Sequence, residues 1–289
     1  MSLSQIYHPG KIGLSIELFP PKTDQGMEDL MKTVGQLAPF RPDYFTCTYG
    51  AGGTTRDRTL TITSRVKKEF GFPVASHLTC VGSTVEQLRA YLSNAQAAGV
   101  DYIVALRGDP PKGDIQFQPV PGGLRYANEL VEVIRNDFPK FGIAVAGYPE
   151  VHQEAASPEA DLENLVRKVR CGADIVITQL FYDNQDFFRF RDKCVTSGID
   201  VPIVPGLLPV LSLSQIQRIT ALCKAKLPHS FVQRLSQKKD ADWQFQVGVE
   251  QATAQAQELI AEGIPGIHFY VLNKSDAIIR ILNLLSLGR

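Results

Sequence analysis

The chain has 289 residues, 44% of them hydrophobic, which suffices to bury a large core as one big barrel or two ordinary domains. Thirty Lys and Arg balance thirty Asp and Glu, and no stretch concentrates positive charge, so a small-molecule partner is expected and no nucleic acid. The N-terminal MSLSQIYHPGKIG has no apolar signal core, and no run of about 18 apolar residues occurs, so no membrane is expected and the cytoplasm is the predicted location.

The first apolar run, IGLSIEL at 12–18, reads as a strand that stops at two prolines. Alternation puts Ser15, Glu17 and Phe19 on one face and Leu14, Ile16 and Leu18 on the other. If the first face is interior, an unpaired Glu17 costs several kcal/mol, so it should be paired, protonated or functional. The second run, DYFTCTY, leads through Thr48 and Tyr49 into the glycine-rich turn GAGG at 50–53. That turn could bring backbone N–H groups to a phosphate, but Thr55 stands where the dinucleotide fingerprint needs its last glycine. The third, PVASHLT, ends in His77 and Thr79, followed by a helical pattern over 83–99 with Ser83 and Glu86 at capping-box spacing.

The fourth run, DYIVALR, is followed by Gly108 between Arg107 and Asp109; those two form either a structural ion pair, with each other or with Glu17, or a second acid site. The fifth, IAVAGYP, leads to Tyr148 and His152. A helix over 157–171 then opens with Ser157 and Pro158 and buries Leu162, Leu165, Val166 and Val169. Its Asp161, Asn164 and Lys168, with Arg167 alongside, read on their own as a solvated face. The sixth run, ADIVITQ, ends at Gln179, and the seventh is VPIVPGL. Residues 212–262 have room for two or three helices, with Lys238, Lys239 and Asp240 solvated, before GIHFYVL, whose end FYVLNK carries Tyr270 and Asn273.

Strand and helix alternating eight times, with strands apolar on both faces, predict an α/β fold: a single (β/α)8 TIM barrel over 1–289 with extra helices between strands seven and eight. A doubly wound open sheet is the alternative. In a barrel the polar strand ends converge on one face, which is where active sites form. Lys112 and Lys274 lie just beyond strand ends, no His, Cys and carboxylate cluster has metal spacing, and no nucleophile-elbow sequence occurs. Cys47, Cys80, Cys171, Cys194 and Cys223 are scattered and read as free thiols.

IELFPPK, TYGAGGTTRDRT, SHLTC, ALRGDPP, GYPEVH, TQLFYD, PGLLPV and HFYVLNKS, in this order along nearly the whole chain, resemble the methylenetetrahydrofolate reductase family. Because the chain ends soon after strand eight, the resemblance is to the short bacterial-type form, without a regulatory domain. It implies flavin-dependent reduction of 5,10-methylenetetrahydrofolate to 5-methyltetrahydrofolate by NADH or NADPH, in ping-pong fashion, by a homo-oligomer. It makes Glu17 the general acid toward the folate, Asp109 the carboxylate near both flavin and pterin, and Gln179 a folate-ring contact. FAD, more than FMN, would be held by Thr48, His77, Arg107, Asp109, Tyr148, His152, Asp161, Asn164, Arg167 and Lys168.

An ordinary Glu, near 4.3, is ionised at neutral pH, so the acid role leads us to expect Glu17 raised by an apolar wall and by Asp109. Two departures accompany the resemblance: Ile16 and Leu18 stand where most relatives have phenylalanines, and 207–214 lack the aromatic that some relatives use for stacking. The competing readings are a flavin-free pterin methyltransferase and a non-catalytic folate-binding subunit on the same barrel.

Overall fold

A computed structural model describes residues 3–8, 10–49, 56–110, 113 and 117–287. The glycine-rich turn 50–53, Thr55 and Lys112 lie outside the described residues. Parallel strands β1 (Gly13–Leu18), β2 (Tyr44–Cys47), β3 (Val74–Thr79), β4 (Tyr102–Leu106), β5 (Gly142–Gly147) and β6 (Ile175–Thr178) pair with their neighbours in chain order. The seventh position is divided into β7 (Ile203–Val204) and β8 (Gly206–Leu207), and β9 (Gly266–Tyr270) pairs with both β8 and β1.

The division falls at Pro205, which has no N–H to give the ladder. Its carbonyl still accepts from His268 N at 3.0 Å, and the Tyr270 hydroxyl donates to Thr178 O at 2.8 Å, so β6 and β9 are stitched across the gap. Eight positions therefore close into the expected barrel, and the open-sheet alternative does not hold.

Helices α1 (Asp24–Leu37), α2 (Arg56–Phe70), α3 (Val85–Ala97), α4 (Ala127–Asp137), α5 (Pro158–Arg170) and α6 (Asn184–Thr196) cover the outside. Leu14, Ile16 and Leu18 of β1 are buried in the layer between strands and helices, as alternation requires. Helix α5 starts where the sequence placed it: Ser157 Oγ accepts from Ala160 N at 3.1 Å, and Leu165 is buried. The capping box of α3 lies one residue later than predicted. Thr84 and Gln87 exchange the two reciprocal bonds, while Ser83 Oγ turns back to Val81 O at 3.2 Å.

Inside the barrel a second cluster joins Tyr44, Ala75, Tyr102, Val104, Ala144, Ile175, Ile177 and Val204 to Leu3, Ile6 and Tyr7, from a 3-10 turn at Leu3–Ile6. That N-terminal plug contributes to the barrel's inner cluster. Three helices, α7 (Leu213–Cys223), α8 (His229–Ser236) and α9 (Ala241–Ala261), fill the excursion after β8, and α10 (Asp276–Leu285) follows β9. Residues 236–240 of that excursion are exposed, as predicted. Among the described residues no helix is long and apolar enough to cross a membrane.

Candidate active site

The strand ends enclose a cavity of about 470 Å³ whose walls include Glu17, Thr48, His77, Arg107, Asp109, Tyr148, His152 and Gln179. These residues come from six strand ends or the loops after them, and their meeting is what the barrel topology achieves.

Glu17 is held between two imidazoles. Its Oε2 lies 3.3 Å from His77 Nε2 and 3.4 Å from His268 Nε2. Only the His268 contact is aligned as a hydrogen bond, since His77 Nε2 is buried without a hydrogen-bond partner. Behind it, His268 Nδ1 meets Ser15 Oγ at 2.8 Å. The register explains this: β1 and β9 run parallel with Ser15 opposite His268 and Glu17 opposite Tyr270, so all four side chains point inward in two layers.

Burial pushes the Glu17 carboxyl up, but the charge of His77 at 3.3 Å and the hydrogen bond from His268 outweigh it and leave the group at about 2. The expected rise is thus corrected. The groups acting on Glu17 are imidazoles rather than Asp109, and the apolar wall alone does not decide its charge.

Arg107 pairs neither with Asp109 nor with Glu17. Its guanidinium makes a two-point pair with Glu154, at 2.7 and 3.0 Å, and its Nε donates to Gly108 O at 3.1 Å. Gly108 has φ +88°, and a Cβ there would meet Val81 and Thr79 at 2.8 and 3.0 Å, so the position calls for glycine. Asp109 stands exposed on the cavity wall.

At the neighbouring strand end, after β5, the Tyr148 and His152 rings meet edge to face at 4.6 Å. Between them Val151 has φ 72°, a strained value for a β-branched residue, held by a turn from Val151 N to Tyr148 O at 3.1 Å. Asp161 Oδ2 accepts from His152 N at 3.0 Å, and Lys168 Nζ lies 5.9 Å from the Tyr148 ring centre while donating to Ala146 O at 2.5 Å. Asp161 and Lys168 therefore back the cavity wall. Asn164 and Arg167 are not brought to it: both are exposed, and Arg167 bonds Asn164 at 3.1 Å and Glu163 at 3.5 Å.

Sequence reasoning overlooked His268, Ser15 as its partner, and Glu154. The signal for His268 was present, since it lies two residues before Tyr270 on the inward face of the same strand. Asn273 proves to be a clamp between strand ends: its Oδ1 accepts from Phe19 N at 2.8 Å and its Nδ2 donates to Phe19 O at 2.6 Å.

A closed parallel barrel whose mouth gathers carboxylates, imidazoles and aromatic rings around a cavity of this size defines a TIM-barrel protein with a small-molecule site. Residues 2–286 match the family model described as methylenetetrahydrofolate reductase, and the chain belongs to that family. It is 38% identical to 5,10-methylenetetrahydrofolate reductase of Escherichia coli (strain K12), over 92% of this chain and 88% of that one. It is also 38% identical to methylenetetrahydrofolate reductase (NADH) 1 of Arabidopsis thaliana, over 97% of this chain and 49% of the relative. The chain thus spans about half the length of the plant relatives it matches.

Among solved structures, an uncharacterized protein from Clostridium thermocellum that binds two copies of 5-methyl-5,6,7,8-tetrahydrofolic acid superposes with a TM-score of 0.65 at 14% identity, covering 95% and 94% of the two chains. Dihydropteroate synthase from Xanthomonas albilineans in complex with 7,8-dihydropteroate gives 0.51 at 16% identity, covering 95% and 92%. At these identities the likeness shows the fold alone.

Proposed function

We propose that the protein reduces 5,10-methylenetetrahydrofolate to 5-methyltetrahydrofolate, with a flavin, FAD rather than FMN, as the redox group. The observation that carries this reading is the meeting of Glu17, Asp109 and Gln179, from three separate strand ends, on one cavity in a chain of this family. NADH is the donor favoured here, because the plant relatives are named for it.

The walls fit a flavin ring. Thr48 Oγ1, Thr79 Oγ1 and His77 Nε2 are buried in the cavity wall with no hydrogen-bond partner, and each such atom costs about 1–3 kcal/mol until something supplies one. A flat heteroaromatic group with donors and acceptors on its edges would satisfy them, while Val81, Leu106, Ile177 and Leu208 supply apolar surface for its faces. When bound, the flavin supplies the transfer of hydride from the nicotinamide to the one-carbon unit.

The chain's own residues handle charge and protons. The five-membered ring of the folate must open to an iminium cation before reduction, and opening needs a proton at nitrogen 10. Glu17 delivers it in this reading. Asp109, exposed on the same wall, stabilises the cation, and Gln179 orients the pterin. Arg107 and the Tyr148–His152 wall, backed by Asp161 and Lys168, hold the rest of the cofactor, with Asn164 and Arg167 available only to a part that extends over the surface.

The test is an absorbance spectrum of the protein incubated with FAD or FMN. Flavin bands that bleach with NADH and return on adding 5,10-methylenetetrahydrofolate are expected. Failure to bind either flavin sinks the redox reading in favour of a methyltransferase or a binding subunit.

A further inference from the structure

Phe19 differs from the other rings on the cavity wall. Tyr49 is buried and stacks with Tyr91, Tyr148 meets His152 edge to face, and Tyr270 meets His268 in the same way at 4.9 Å. Phe19 lines the same cavity yet leaves 50% of its surface exposed, and Leu272, also on the wall, leaves 41%. Apolar surface left at the mouth of a cavity is stabilised by a ligand that covers it.

The register places the two side by side. β1 and β9 run parallel with Ser15 opposite His268 and Glu17 opposite Tyr270. Continuing by two residues brings Phe19 alongside Leu272 as a third inward layer, about 7 Å above Glu17. The backbone is fixed at that point, because Asn273 Oδ1 accepts from Phe19 N at 2.8 Å and Asn273 Nδ2 donates to Phe19 O at 2.6 Å. To turn that amide back, Leu272 and Asn273 adopt consecutive left-handed conformations, with φ 47° and 59°, closed by Lys274 N donating to Val271 O at 2.9 Å. Asparagine takes this region readily and leucine does not, so strain is held where Leu272 faces the cavity.

We propose that Phe19 is the binding residue for the p-aminobenzoyl ring of the folate, stacking on it with Leu272 as its flank. The proposal rests on the reading of Glu17 as the acid toward nitrogen 10. That nitrogen is bonded directly to the benzoyl ring, so a Glu17 within proton-transfer reach of it fixes where the ring begins. Below Glu17 the barrel is closed: Ser15 and His268 are buried, and the Tyr7 hydroxyl, 2.9 Å from that of Tyr44, donates to Ser15 Oγ from beneath. The ring can therefore extend only outward, past Phe19 and Leu272, and the charged glutamate that follows it must reach water. From the side of β8 and α7, Leu208 and Ile219 give the cavity aliphatic surface only, and 207–214 contain no aromatic residue, so Phe19 is the ring available at this level.

The test uses flavin-loaded protein and two fragments of the substrate as competitive inhibitors, p-aminobenzoylglutamate and 6-methyltetrahydropterin. Phe19→Ala should weaken the first about tenfold and leave the second within about twofold, because only the first carries the ring. In stopped-flow single turnovers the apparent dissociation constant of 5,10-methylenetetrahydrofolate should rise about tenfold, with its limiting rate within about threefold and flavin reduction by NADH unchanged. Phe19→Tyr should restore the parent's values and Phe19→Leu only part of them, a comparison that stays available if Phe19→Ala folds poorly. Equal weakening of both fragments, or an equal loss in the NADH half-reaction, overturns the proposal, since Phe19 then shapes the cavity as a whole. Binding of p-aminobenzoylglutamate and of methylenetetrahydrofolate that none of the three substitutions alters overturns it as well. A parent protein that binds neither fragment and does not reduce methylenetetrahydrofolate overturns the folate reading itself, before any variant is made.

Discussion

Arg107 and Glu154 form a two-point ion pair beside the cavity, Nη1 to Oε2 at 2.7 Å and Nη2 to Oε1 at 3.0 Å. The pair spends the guanidinium fork on a carboxylate that is itself 39% exposed at the side chain, so water competes for it and the net gain from such a pair is about 1 kcal/mol or less. It also places a negative charge where the proposed anionic cofactor would approach.

Glu154→Gln should therefore tighten FAD binding by about threefold to tenfold, the equivalent of the pair's worth, and steepen its salt dependence, because the freed guanidinium attracts the anionic cofactor. Quenching of flavin fluorescence in titrations at two ionic strengths measures both. Weaker binding in the variant would mean that Glu154 holds Arg107 in its binding position.

Lys168 shows the cost of a charge buried under a wall. Burial lowers its ammonium to about 8, against an ordinary 10.5. The folded state then holds the proton less well than the unfolded chain, so the cost to folding is fullest below pH 8 and disappears as pH rises toward 10.5. Lys168→Met should melt higher than the parent at pH 7, with the gap closing by pH 10, while losing affinity for FAD more than for FMN. A lower melting temperature at pH 7 would show that the bond to Ala146 O outweighs the burial.

The barrel was legible because short apolar runs recur eight times with amphipathic segments between them, and the strand-end residues were legible because topology fixes where strand ends go. What escaped was pairwise. Glu154 lies in a loop where no periodicity reports which way a side chain turns, and it captured the arginine expected to meet Asp109 or Glu17. The charge state of Glu17 escaped for a related reason: burial could be read from its strand, but the two opposing imidazoles come from β3 and β9, 60 and 251 positions away in sequence. Asn164 and Arg167 share a helix with Asp161 and Lys168, but helical spacing points them to solvent.

Two glycines give a contrast in packing. At Gly248 on α9 a Cβ would stand 1.8 Å from the carbonyl oxygen of Val210, a backbone atom that cannot swing aside, whereas at Gly35 on α1 it would meet only the Phe70 ring, at 3.4 Å. Gly248→Ala should cost about 3 kcal/mol by forcing the helix off the loop after β8. Gly35→Ala should be neutral or stabilise by up to about 1 kcal/mol through helix propensity. Urea denaturation of the two variants checks the difference, and similar midpoints would show that α9 moves freely relative to Val210.

Glu17→Gln separates chemistry from architecture. The carboxyl is held at about 2 in the folded protein against an ordinary value near 4.5, so its contribution to stability is fully present above 4.5 and is lost as pH falls from there toward 2. Gln removes that contribution, and the variant should lose part of the parent's advantage at pH 6 while the two converge near pH 2. The amide keeps the length of the side chain and can still accept from His268, so the pocket should stay formed. Flavin reduction by NADH should then survive within a small factor, whereas reduction of methylenetetrahydrofolate should fall by about 10²-fold or more. Asp109→Asn should slow both half-reactions, because that carboxylate shares the wall with both ligands in the proposed arrangement. Stopped-flow traces of each half-reaction, paired with melting curves at pH 6, decide the matter: equal damage to both in Glu17→Gln with a large fall in melting temperature would make Glu17 a strut that keeps His77 and His268 in place.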